Sequence, residues 1–219
     1  MKYPSTHHRV IAIDGTDSAV IDNVVRVLGD RLQAGHNDLQ RQVSPLIGQG
    51  PVSTSLQHQN YSQSPIQYTL GLATAILETY AMEVIPYLDD RRIIVMNRWV
   101  GSYYAYRCQA DSDPLANSVY YQALLKTLNT PMAYIWLDTP VSLTMPLPLY
   151  HRCREHEQRF EPYMKLVQKG YAEYYDYLKR SGMCPYLLHV TNPLDDRAAV
   201  EHCVSTWLTD PTFIALFGG

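Results

Sequence analysis

Apolar positions along the chain fall into short unbroken runs separated by longer stretches at helical spacing. Val10-Ile11-Ala12-Ile13 is such a run. Asp14-Gly15 closes it, predicting a buried strand with a turn at its C-terminal end. Val24, Val25, Val27, Leu28 and Leu32 recur at helical spacing and predict a helix over 20–32, ended by Gly35. Residues 45–65 are rich in Pro, Gly, Ser and Gln and read as a long loop or a short irregular helix. Ser64-Pro65 supplies an N-cap residue and a first-turn proline. The helix it opens is predicted to run to about Leu88 through Leu70, Ala73, Leu77, Ala81 and Val84. Strands are predicted at 92–96, 132–137 and 186–190, and helices around 100–108, 115–128, 159–180 and 195–208. The apolar tail Phe213-Ile214-Ala215-Leu216-Phe217 is expected to pack back on the body.

This β-α alternation predicts an α/β fold in three layers, a five-stranded parallel sheet sandwiched by helices. The 219 residues suit one domain, 1–219, with a lid-like segment at about 145–158. Ligands of such sheets sit at the C-terminal strand ends, which points to the loops after Ile13, Ser44, Met96 and Leu137. Lys+Arg total 18 and Asp+Glu 21, a net charge of −3 that argues against a generic nucleic-acid binder. The 46% apolar content excludes a mostly disordered chain. No apolar run approaches the roughly 20 residues of a membrane span, so no membrane partner is expected. No signal-peptide core follows Met1-Lys2-Tyr3-Pro4. The four cysteines (Cys108, Cys153, Cys184, Cys203) are scattered, which speaks against a disulfide framework and fits a cytoplasmic protein. Eighteen tyrosines stand against three phenylalanines, a bias with no functional reading in the sequence itself.

The loop after the first predicted strand is Asp14-Gly15-Thr16-Asp17-Ser18-Ala19-Val20-Ile21-Asp22. A phosphate-binding P-loop has the pattern G-x-x-x-x-G-K-[ST], in which backbone amides wrap the phosphates and the lysine neutralises them. Gly15 fits the first glycine, whereas Val20, Ile21 and Asp22 stand at the second glycine, the lysine and the Ser/Thr. The order of segments along 9–208 resembles the thymidylate kinase family of nucleoside-monophosphate kinases. Ile11 to Asp17 looks like that family's opening strand and E-G-x-D start. Asn97-Arg98-Trp99 looks like its D-R-Y/F motif, and Ser102-Tyr103-Tyr104-Ala105-Tyr106-Arg107 is similar to its S-x-x-A-Y-Q segment. Tyr134 to Pro140 matches its strand ending in Asp, and Arg159-Phe160-Glu161 with Gly170-Tyr171 fits the helix after its lid. The ordered set, rather than any one motif, carries the likeness. It implies a P-loop kinase fold, a nucleotide ligand, and a homodimer packed through helices. ATP and Mg²⁺ follow if the chemistry survives.

The departures fall where that chemistry would be. Phosphoryl transfer is mostly positioning and charge stabilisation. Ile21 removes a cation, Val20 adds a side chain where backbone must approach phosphate, and Asp22 puts a carboxylate near the helix N-terminus, where it reads best as a favourable helix charge. Gln42-Val43-Ser44-Pro45 keeps only the proline of the family's R-E-P. Ala73 to Leu77 lacks the expected stacking aromatic and phosphate-binding arginine, Asn97 replaces an Asp, and Arg107 replaces the base-reading Gln. Losing one preorganised polar group costs about 10²–10³ in rate. Several lost together point to a catalytically degraded relative that acts as a binding or assembly protein.

The alternative is an active nucleoside-monophosphate kinase, with dTMP as the first substrate to try. Arg107, Arg152, Arg154 or Arg159 would then replace the lysine. Arg98 reads equally as an anion contact or as a structural ion pair with Asp14 or Asp138. Trp99, Tyr103, Tyr104 and Tyr106 read as packing before base stacking. His151, Cys153 and His156 do not form a recognised zinc pattern, so no metal site is expected, and no hydrolase nucleophile elbow is present. A chance match by an unrelated α/β protein remains a third reading.

Overall fold

A computed structural model describes residues 9–35, 41–43, 51–52, 65–87, 92–113, 116–128, 130–140, 154–191, 194 and 196–217. Strand β1 (Val10–Gly15) leads to helix α1 (Ser18–Gly35), and β2 (Arg41–Val43) follows. Helix α2 (Pro65–Thr79) continues through a π-helical stretch, Tyr80–Val84, and a 3₁₀ turn, Ile85–Tyr87. After β3 (Ile94–Asn97), α3 (Val100–Tyr103) runs into a second π-helical stretch, Tyr104–Ala110. A third, Ala116–Tyr120, leads into α4 (Tyr121–Thr127). Then come β4 (Ala133–Leu137), the long α5 (Arg154–Ser181), β5 (Tyr186–Val190), α6 (Arg197–Leu208) and α7 (Pro211–Phe217).

All strand pairs are parallel, in the order β2-β3-β1-β4-β5. The body of the sheet is four strands, β3, β1, β4 and β5. The fifth expected strand is reduced to the three residues of β2 at one edge. Every residue of β1 and β4 is buried, as expected of strands covered on both faces. Alternation along β1 divides the core. Ile11 and Ile13 face α1, α6 and α7, and Val10 and Ala12 face α2 to α5.

Two helix starts differ from the periodicity. Helix α1 begins at Ser18 because the Asp17 carboxylate accepts the amides of Ala19 (2.9 Å) and Val20 (3.2 Å), capping the helix two residues early. Helix α5 starts at Arg154, ahead of the expected 159, and carries Pro162 inside it. The apolar tail is a helix capped by Asp210, which accepts from Thr212 (2.7 Å) and Phe213 (3.2 Å), and Phe213 meets Tyr186 edge-on. The last predicted helix has Asp196 as its N-cap, accepting from Ala199 at 2.7 Å. Among the described residues, no helix is long and apolar enough to cross a membrane. Residues 145–153 of the lid-like segment, the Ser64 cap and most of the 45–65 loop lie outside the described residues.

Candidate functional site

The C-terminal ends of β1 and β3 bring the loop after β1 against Arg98. Gly15 sits so close to β4 that an added Cβ would lie 2.6 Å from the Leu137 carbonyl oxygen. Thr16 and Asp17 follow, both buried, and α1 begins directly after them. The amides at this helix start are the groups a phosphate would use. Those of Ala19 and Val20 are already donated to Asp17. Ile21, at the lysine position, is fully buried among the aliphatic side chains of α1, β1 and β4. Asp17, rather than Asp22, is therefore the carboxylate at the helix N-terminus. Asp22 accepts from Asn97 Nδ2 at 2.6 Å, so two positions that depart from the family pattern bond to each other.

Arg98 has φ = 73°, a left-handed conformation costing a non-glycine residue about 1–2 kcal/mol. Its guanidinium is buried. Nη1 donates to the Gly15 carbonyl (3.0 Å), Tyr171 Oη (3.2 Å) and Ser102 Oγ (3.4 Å), and Nη2 donates to Ser18 Oγ (2.8 Å). These partners are neutral oxygens. Of the two carboxylates considered from sequence, Asp14 is reached through Ser102, and Asp138 is bonded elsewhere. Asp14 is fully buried and accepts from the Trp99 amide (3.0 Å) and from Ser102 Oγ, with the Tyr134 hydroxyl beside its carboxylate. Burial pushes the Asp14 carboxyl above its ordinary value, against the pull of the Ser102 hydroxyl, the Trp99 amide and Arg98.

The aromatic candidates pack in the core. Trp99 and Tyr103 are buried, and Trp99 lies 6.0 Å from the Tyr80 ring. The Tyr103 hydroxyl is buried without a partner, and burial holds its proton tightly. Tyr106 is partly buried, with the Arg98 guanidinium carbon 5.9 Å from its ring centre. Arg107 pairs with Asp111 at 2.7 Å, both nearly buried, and Asp111 also accepts from Tyr163 Oη at 3.0 Å. Arg152, His151 and Cys153 lie outside the described residues, while Arg154, His156 and Arg159 lie on α5. Among the described residues, no group of three or more side chains could hold a metal ion.

One feature escaped the sequence. A cavity of about 420 Å³ opens at the ends of β4 and β5, lined by Trp136, Asp138, Gln168, Lys169 and Thr191. Asp138 Oδ2 lies 3.0 Å from His189 Nε2, and Gln168 Nε2 donates to Asp138 Oδ1 (3.2 Å) and to the Thr139 carbonyl (2.8 Å). The His189 ring stacks on Trp136, with centroids 3.9 Å apart and planes 2° from parallel. The only signal in the sequence was that Asp138 and His189 end two neighbouring strands.

The fold has a solved counterpart. It is similar to the crystal structure of thymidylate kinase from Ehrlichia chaffeensis, with a TM-score of 0.62 and 16% identity. The match covers 92% of this chain and 98% of that one. At this identity the likeness is one of fold alone, shared with that thymidylate kinase. No protein-family model matches the chain, and no curated protein matches it by sequence.

Proposed function

We propose that this protein keeps a thymidylate-kinase-like fold without its phosphoryl-transfer chemistry and works as a cytoplasmic binding or assembly protein. One observation carries the reading. The residue at the lysine position, Ile21, is sealed in the core, and two of the amides at the helix start, those of Ala19 and Val20, are donated to Asp17. Arg98 is committed to four oxygens of the protein, and Arg107 is neutralised by Asp111. Catalysis of this class depends on free cations and donors at the transferring phosphoryl group. Leu70, Met82 and Ile85 on α2 and its continuation, and Val119 just before α4, are exposed apolar side chains, and the proposed homodimer would draw on them.

The test is product chromatography after incubation with ATP·Mg²⁺ and a panel of nucleoside monophosphates that includes dTMP. Arg98→Ala serves as the control for contaminating host kinase. No diphosphate above the control is expected, and millimolar ATP·Mg²⁺ should leave the melting temperature unchanged. Diphosphate formation lost on Arg98→Ala would instead establish an active kinase with a rebuilt site. Light scattering should give a dimer mass that Met82→Glu reduces to that of a monomer.

A further inference from the structure

We propose that Gly15, Arg98, Ser102 and Tyr171 form an internal latch that holds α5 on the loop after β1 with no ligand present. In nucleotide kinases, closure of mobile elements over the site is driven by substrate. Here the protein's own groups make the contacts. Tyr171 is fully buried in the middle of α5 and donates its hydroxyl proton to the Gly15 carbonyl at 2.9 Å. The same oxygen accepts from Arg98 Nη1 at 3.2 Å and lies 2.8 Å from Ser102 Oγ. Arg98 Nη1 also donates to the Gly15 carbonyl, so that one backbone oxygen ties β1 both to β3 and to α5. One residue before Tyr171, an added Cβ on Gly170 would lie 2.6 Å from the Ala105 Cα, so the backbones of α5 and the π-helical stretch after α3 are in direct contact. Polar bonds and close packing therefore coincide at one point along α5. The latch extends the non-catalytic reading, since it uses Arg98 for closure, but it has its own test.

That test is hydrogen exchange, followed by mass spectrometry on the full chain, for peptides spanning 164–178 of α5 and 197–208 of α6. In the wild type, α5 exchange should be slow and should not change with ATP·Mg²⁺. Tyr171→Phe keeps the ring and removes the shared hydroxyl, and should speed α5 exchange about tenfold while leaving α6 unchanged. Ser102→Ala removes the latch hydroxyl that lies 2.8 Å from Tyr171 Oη and should speed α5 exchange about threefold, which preserves the test if Tyr171→Phe fails to fold. Unaltered α5 exchange in the variant that folds, or equal acceleration of α6, would overturn the latch while leaving the chromatographic assay free to uphold the function. Protection of wild-type α5 gained only with ATP·Mg²⁺ would also overturn it, by showing closure that depends on nucleotide. A diphosphate product with slow, ligand-independent α5 exchange would retain the latch and discard the non-catalytic reading.

Discussion

The two faces of the sheet are built from different materials. Against α1 and the start of α6 the core is aliphatic, with Ile11, Ile13, Ile21, Val24, Leu28 and Ile135 at its centre, and Tyr186, Trp207, Phe213 and Phe217 close it at the α6–α7 end. Against α2 to α5 it is a tyrosine layer, holding Tyr80, Tyr103, Tyr121, Tyr134, Tyr171 and Tyr174 fully or nearly buried. Arg98 and Arg107 are buried on this second side, and all three π-helical stretches lie there. An aliphatic layer is held by area removed from water and is indifferent to direction. A layer of phenols must also place its hydroxyls. Where Tyr104 bonds Glu173 and Tyr171 bonds Gly15 the hydroxyls are satisfied, Tyr134 is set against the Asp14 carboxylate, and at Tyr103 the hydroxyl has no partner. The difference teaches that the face bordering the candidate site is specified by polar geometry, at some cost in stability, and the opposite face by volume.

Substitutions on each face test this contrast. The largest effect is expected on the aliphatic face. Ile21→Lys supplies the lysine of the P-loop pattern but buries an unpaired charge, and should cost about 3–5 kcal/mol in urea unfolding with no phosphoryl transfer gained. Survival of that variant at full stability would mean the aliphatic face is not sealed. On the tyrosine face, Gly101→Ala would place a Cβ 2.4 Å from Tyr134 Oη and 2.5 Å from Asp14 Oδ2. About 1–3 kcal/mol should be lost, read by the same titration.

A pH series isolates Asp14. Burial raises its carboxyl from the ordinary 3.8, so the folded state holds the proton more tightly than the unfolded one. Its contribution to stability is then largest at low pH and declines as pH climbs above 3.8, by at most about 1.4 kcal/mol per pH unit, until the folded carboxyl has ionised. Asp14→Asn should flatten that decline, and an unchanged slope would place the titration elsewhere. Arg98→Gly should be more stable than Arg98→Ala by about 1 kcal/mol, because both lose the guanidinium while only glycine is at ease at φ = 73°. The smallest change is expected at the sheet edge. His189→Ala gives up a stack on Trp136 and a partly exposed contact with Asp138, for about 0.5–1 kcal/mol in thermal unfolding.

Much of the architecture was legible because burial on both faces leaves unmistakable apolar runs, as in β1 and β4. Strand β2 has three residues and was visible only as a segment before Pro45. The start of α1 at Ser18 is not legible in the sequence, because Asp17 lies inside a motif, where it reads as part of a loop rather than as a cap. Individual site residues could be named, but their mutual cancellation could not. Asn97 and Asp22 are 75 residues apart in the chain, and His189 and Asp138 are 51 apart. Topology, not spacing, brings such pairs together. The Arg107–Asp111 pair is different: the two residues stand four apart, so helical spacing alone makes their pairing legible.

The π-helical stretches bear on how this chain is counted against any other. A π turn bonds each residue to the fifth one along and so takes up more residues than an α turn. One extra residue rotates everything after it by about 100° on a helical wheel. Across Tyr104–Ala110, a register set at Ser102 need no longer hold at Asp111. Motifs aligned letter by letter on either side of such a stretch can name neighbours that face different directions. Where these stretches occur, equivalence between this protein and a kinase is better drawn by superposed Cα positions, with a one-residue gap allowed in each.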